Sequence, residues 1–256
     1  MAGSMDGNNQ QRSLWDVFRD ELAGATYTDL THAFFPGQPR FASFPDEQRT
    51  LLHDYDKGDD GQVHLYTHVG QWGTHVDPPV HYVKGGRTLD NIPVSQMLLP
   101  LVVLDISARV AQNPDATPIL ADIAAWEQRF GRIPQGSFVA LRTDWSKRWP
   151  DAARMSNRGS DGLSHYPGWS QEVLTCLIER RLVTAIGHEQ LDTDPGLSVS
   201  AGNDDLERYV LTCDRWQIEM LTNLDKLPPA GALVMATWPK PKDGSGFPAR
   251  VIAIHR

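Results

Sequence analysis

The densest group of chemically versatile side chains lies between His68 and His81 (HVGQWGTHVDPPVH). Three histidines, one aspartate and one glutamine fall within these fourteen residues. In an extended chain alternate side chains share a face, so His75 and Asp77 point the same way. Gln71 shares their parity four residues before His75. An imidazole and a carboxylate placed two apart can reach a common metal ion at about 2 Å. Gly73 removes the intervening side chain on that face, and Pro78-Pro79 stiffens the approach to His81. A stiff backbone holds an imidazole ready to move protons. His68 has the opposite parity and reads as structural. An HxD pair alone is also what an aspartate orienting a structural histidine would give. The flanking Gly-Thr, Pro-Pro and third histidine favour a metal-assisted site.

These residues need a scaffold of strands. Val63 to Val69 reads as a strand leading into the segment, after an expected strand and ordered aromatic loop over Tyr27 to Phe44. Leu98 to Ile106 and Phe138 to Arg142 are apolar runs of the kind buried on both sheet faces. Leu182 to Ile186, Ala232 to Thr237 and Arg250 to Ile254 are further strands. Helical spacing marks Leu14 to Leu22, Ile119 to Phe130 and Ser170 to Arg180, with Ser170 as the expected N-cap. Leu206 to Leu224 combines a helical first half with a strand around Glu219. Trp145 to Trp169 has no periodicity and is expected to be a long loop covering the site. The alternation argues for an α/β fold with a mixed β-sheet, a barrel-like core and peripheral helices.

Composition narrows the partners. The chain has 256 residues, 40% of them apolar and 22% charged, which excludes a disordered or low-complexity protein. The net charge of −8 argues against nucleic acid and anionic membranes, and no apolar run is long enough to span a bilayer. Cys176 and Cys213 form neither a CxxC pair nor a disulfide framework, so a cytoplasmic protein is expected. Residues 1–11 open with MAGSM ahead of a second methionine, Met5, and are expected to be a disordered extension. Residues 12–256 are expected to form one domain, assembled as a homodimer or homotetramer.

GTHVDPPVH resembles the HxGTHxDxPxH motif of the metal-dependent cyclase-family hydrolases, which include bacterial kynurenine formamidase (an arylformamidase) and isatin hydrolase. Three further segments agree: DLTHAFFPGQPRF, GHEQLDTDP (Gly187 to Pro195) and RWQIEMLTNLDKLPPAGALVMATWPKP. The resemblance implies the family's swivelling β/α fold. It implies metal ligands at His75, Asp77 and Glu219, and a general acid/base at His81. Two positions depart from the formamidase pattern. Gln71 stands at one ligand histidine and Glu207 at another. Both replace imidazole by an oxygen donor, which shifts the preference from a zinc pair towards one ion or Mn²⁺.

The implied cofactor is a divalent ion, Mn²⁺ or Zn²⁺, one or two per chain, with Gln71 and Glu207 as further possible ligands. The implied reaction is hydrolysis of an amide or cyclic amide of a small aromatic substrate by metal-activated water. Lactone hydrolysis, cyclisation or dehydration, and a non-catalytic binding protein with a degenerate metal site are the alternatives. Phe34, Phe35, Trp72 and His165 are expected substrate contacts. His188, where the family has an apolar residue, is expected to contact substrate or to substitute as a ligand.

Overall fold

The computed structural model describes residues 12–256; the expected N-terminal extension, residues 1–11, lies outside the described residues. The strands in chain order are β1 (Thr26–Asp29), β2 (Gln48–His53), β3 (Val63–Thr67), β4 (His75–Asp77), β5 (Leu98–Asp105), β6 (Phe138–Arg142), β7 (Ala185–His188), β8 (Trp216–Glu219), β9 (Ala232–Thr237), β10 (Phe247–Pro248) and β11 (Arg250–His255). Nine of them form one mixed sheet in the order β1-β11-β9-β5-β6-β7-β8-β4-β10. The centre, β5 to β8, is parallel, and the flanks are antiparallel. β2 and β3 form a separate hairpin.

Alternation builds two cores from one sheet. Leu101, Val103, Phe138 and Ala140 face one side and join Val76, Trp216, Ile218, Val234 and Val251. Their neighbours Val102, Leu104, Val139 and Leu141 face the other. There they meet Ile123 and Trp126 of the Leu120–Phe130 helix, Val173 and Leu177 of the Gln171–Arg180 helical segment, and Val210 of the Asp205–Thr212 helix. A strand buried on both faces must be apolar at every position, which is why FVALR and LVVL read as continuous runs. The sheet curls around the first core, and the helices cover its outer side, as the α/β expectation requires.

Four details differ from the sequence reading. The β2 strand carries no signal in the sequence, because QRTLLH exposes nearly every side chain and shows no alternation. The third strand of the parallel set begins at Ala185 rather than Leu182, whose φ of 55° breaks the extension. Ser170 does not cap its helix through its side chain; its hydroxyl donates to the Pro118 carbonyl at 2.6 Å. The segment from Trp145 to Trp169 is not a cover. It contains a helical turn over Trp145–Arg148 and a helix over Ala152–Ser156, and Trp145, Met155 and Trp169 are buried in the helix-side core.

Candidate active site

β4 sits between β8 and β10, and its register with β8 assembles the site. His75 lies directly across from Glu219, and Asp77 across from Gln217. Facing side chains in such pairs have Cβ atoms about 5 Å apart, so four polar groups from two short strands converge. Gly73 enables the entry to β4: its φ is +62°, and a Cβ there would come within 2.9 Å of Phe34 Cβ. Thr74 donates to the Met220 carbonyl at 2.6 Å, tying the start of β4 to the end of β8. Glu207 arrives from the Asp205–Thr212 helix, whose first turn is held by Asp194 accepting the amides of Leu206 and Glu207.

The hydrogen bonds decide which atoms face inward. His75 Nδ1 lies 2.8 Å from the Gly73 carbonyl. A carbonyl only accepts, so Nδ1 carries the proton and Nε2 presents its lone pair. That lone pair faces Asp77 Oδ2 at 3.4 Å and Glu219 Oε2 at 3.6 Å. His75, Asp77 and Glu219 thus offer ligand atoms within 4.8 Å of one another, and so do Asp77, His81 and Glu207. Asp77 is common to both groups, and His81 Nε2 stands 3.8 Å from Glu207 Oε1.

Two amides knit the carboxylates together. Gln217 Nε2 lies 3.1 Å from both Glu207 Oε1 and Glu219 Oε1, while its oxygen accepts from Thr193 at 2.8 Å. Gln71 Nε2 donates to the Ser245 carbonyl at 2.8 Å and to Asp77 Oδ1 at 3.2 Å, and sits 3.4 Å from His81 Nδ1. The atom facing a carbonyl must be the amide nitrogen. In this arrangement Gln71 holds Asp77 as a donor, in contrast to the oxygen ligand expected from sequence.

The cluster is short of positive charge. Burial opposes ionisation of Asp77, but neighbouring His75 overcomes it and lowers the carboxyl to about 2. Burial likewise opposes a charged His75, and Asp77 overcomes this and raises it. Burial first, then the charge of Asp77, pushes Glu207 well above the usual carboxylate range. Burial and Glu207 do the same to Glu219. Asp192, on the same wall, is pushed up to about 8 by burial. Buried carboxylates around an imidazole lone pair need a counter-charge. The donor set therefore fits a divalent cation held by His75, Asp77 and Glu219.

Above this floor lies a cavity of about 230 Å³. Phe41, Phe44, Tyr82, Leu191 and Met220 form its apolar wall, and Arg40 adds a cation to its rim. The expected aromatic contacts lie elsewhere. Phe34 borders a separate cleft with Tyr66 and Trp238. Phe35 packs edge-on to Trp149. Trp72 is fully buried, with its indole N–H donating to Glu47 at 3.1 Å. His165 lies between Asp115 and Asp161 at 2.8 and 3.0 Å, away from the cavity. His188 is wholly buried behind Glu219, with burial lowering it to about 3 so that it stays neutral. Gln217 was missed, although its parity with Glu219 is the signal that had paired His75 with Asp77. Phe41 and Phe44 stand at the end of the aromatic loop noted in the sequence, where composition alone does not say which rings turn inward.

The Cyclase family model ("Putative cyclase") matches residues 28–195. The isatin hydrolase of Roseibium aggregatum is 34% identical over 188 residues, 71% of this chain and 70% of that protein. Isatin hydrolase A from Ralstonia solanacearum superposes with a TM-score of 0.87 at 32% identity, covering 100% of both chains. An isatin hydrolase bound to the product analogue thioisatinate superposes with a TM-score of 0.85 at 25% identity, covering 94% of this chain and 95% of that one. With well over half of its length matched by the family model and a curated relative above 30% identity, the chain belongs to the Cyclase family.

Proposed function

We propose that this protein is a metal-dependent hydrolase that opens the amide bond of a small aromatic cyclic amide of the isatin type. The observation that carries the reading is the cross-strand set at the cavity floor. There one imidazole lone pair and two carboxylates, from His75, Asp77 and Glu219, converge beneath aromatic walls. The relatives named as isatin hydrolases support the substrate class.

His75, Asp77 and Glu219 would hold the divalent ion, with Glu207 at the edge of the set. The oxygen-rich donors suit Mn²⁺ as well as Zn²⁺. When bound, such an ion supplies Lewis acidity towards water and towards the substrate carbonyl. Phe41 and Phe44 receive the aromatic ring, and Tyr82 closes the wall beside His81, their rings 4.9 Å apart and edge-on. His81 is the general acid/base. It takes a proton from the attacking water and delivers it to the leaving nitrogen, and Glu207 Oε1, 3.8 Å from its Nε2, flanks the ring. Gln71 keeps His81 and Asp77 in register by touching both.

Neither cysteine is paired, which fits a reducing cytoplasm, and we expect a homodimer or homotetramer. Among the described residues no helix is long and apolar enough to cross a membrane. Incubating the Mn²⁺-loaded protein with isatin, an N-formyl aromatic amine and an aromatic lactone tests the substrate class. Ring opening of isatin at a rate well above both others is expected. Exclusive turnover of the lactone or of the formyl amide would overturn it.

A further inference from the structure

We infer that His188 is a positioning residue for Glu219, a neutral imidazole whose Nε2–H is aimed at the outer oxygen of that carboxylate because Trp169 occupies the other ring nitrogen. This rests on the reading of Glu219 as a cation ligand.

His188 ends β7, beside β8, and is wholly buried. The indole nitrogen of Trp169, which can only donate, lies 3.4 Å from His188 Nδ1. Nδ1 therefore accepts, and the proton of the neutral ring sits on Nε2. A nitrogen that carries a proton has no lone pair for a metal, so His188 is not the substitute ligand that the sequence allowed. Nε2 has no aligned hydrogen-bond partner, and Glu219 Oε1 stands 3.4 Å from it. Buried donors are almost always satisfied. A small turn of the carboxylate satisfies this one.

The surroundings of Glu219 give that turn a consequence. Its Oε1 also faces Gln217 Nε2 at 3.1 Å and the Thr193 hydroxyl at 3.4 Å. Its Oε2 faces His75 Nε2. Two N–H donors, from Gln217 and His188, are thus directed at one oxygen, with the Thr193 hydroxyl packed beside it, and the other oxygen is left to face His75. Groups that orient a ligand in this way commonly change metal affinity by about 10- to 100-fold.

Two measurements on the full-length protein test the inference. Long-range ¹H–¹⁵N spectra of histidine-labelled wild type report the His188 tautomer. Nε2–H is expected, with Trp169→Phe relaxing that preference. Mn²⁺ affinity, by calorimetry, is expected to fall about 10- to 100-fold in His188→Leu. His188→Gln, whose amide N–H can replace Nε2–H, is expected to recover most of it. An Nδ1–H tautomer in wild type, or a folded His188→Leu that binds Mn²⁺ like wild type, would overturn the inference. If His188→Leu does not fold, the wild-type tautomer decides. Wild-type protein that binds no divalent ion would sink the metal reading itself, and this inference with it. Equal binding by wild type and the leucine variant would sink the inference alone.

Discussion

His75 and Glu219 are direct cross-strand partners in β4 and β8, with His75 Nε2 3.6 Å from Glu219 Oε2. The pair joins residues 144 positions apart in the chain through direct cross-strand pairing. It also creates a buried imidazole lone pair opposite carboxylate oxygens, an arrangement stable only with a proton or a cation between them.

Asp77→Asn keeps the shape of the side chain and removes its charge from both ligand groups. Mn²⁺ should stabilise wild type by about 2.7 kcal/mol at a hundred times its dissociation constant. The Asn variant should show little of that shift. Thermal melts with and without Mn²⁺ check this, and an equal shift in both proteins would remove Asp77 from the ligand set.

His81 is assigned to proton transfer rather than to holding the ion. His81→Ala should keep most of its bound metal and lose about 10²–10⁴ in kcat. Metal analysis beside steady-state kinetics separates the roles. Loss of the ion together with activity would make His81 a ligand.

The cavity wall sets affinity for the ring. Phe41→Ala and Phe44→Ala should each raise KM by roughly fivefold to tenfold with kcat little changed, about the worth of one aromatic contact. The same kinetics on Phe35→Ala, a residue outside the cavity, should match wild type. A larger effect at Phe35 than at Phe41 would mean the ring binds elsewhere.

His32 gives a pH dependence away from the cluster. It stacks on Trp149 at 4.4 Å, and burial lowers it to about 4. Between pH 6.5 and 4 the unfolded chain binds a proton there that the folded chain refuses. Stability is therefore full above about pH 6.5 and falls as pH drops through that window, by roughly 2–3 kcal/mol. His32→Phe keeps the stack and should lose that part of the acid sensitivity. Urea melts at pH 7 and pH 4.5 check it; identical pH slopes for the two proteins would contradict it.

Much of this arrangement was legible in the sequence, for identifiable reasons. The parity of His75 and Asp77 survives folding because all three residues of β4 pair with β8, and His75 and Val76 also pair with β10. The parallel strands were legible because burial on both faces leaves an unbroken apolar run. Gln217 obeys the same alternation, but a glutamine carries no chemistry of its own until three carboxylates surround it. The Trp145–Trp169 segment misled because its tryptophans serve the outer core, and aperiodic sequence does not distinguish a packed loop from an open one. Phe41 and Phe44, not Phe34 and Phe35, face the cavity, because all four rings lie in one aromatic loop without periodicity to say which turn inward.

The most direct test is a titration of Mn²⁺ into chelator-stripped wild-type protein while isatin ring opening is followed. The account predicts no turnover without the ion and a rate that saturates near one ion per chain. Turnover at full rate in the stripped protein, or none at any Mn²⁺ or Zn²⁺ concentration, would contradict it.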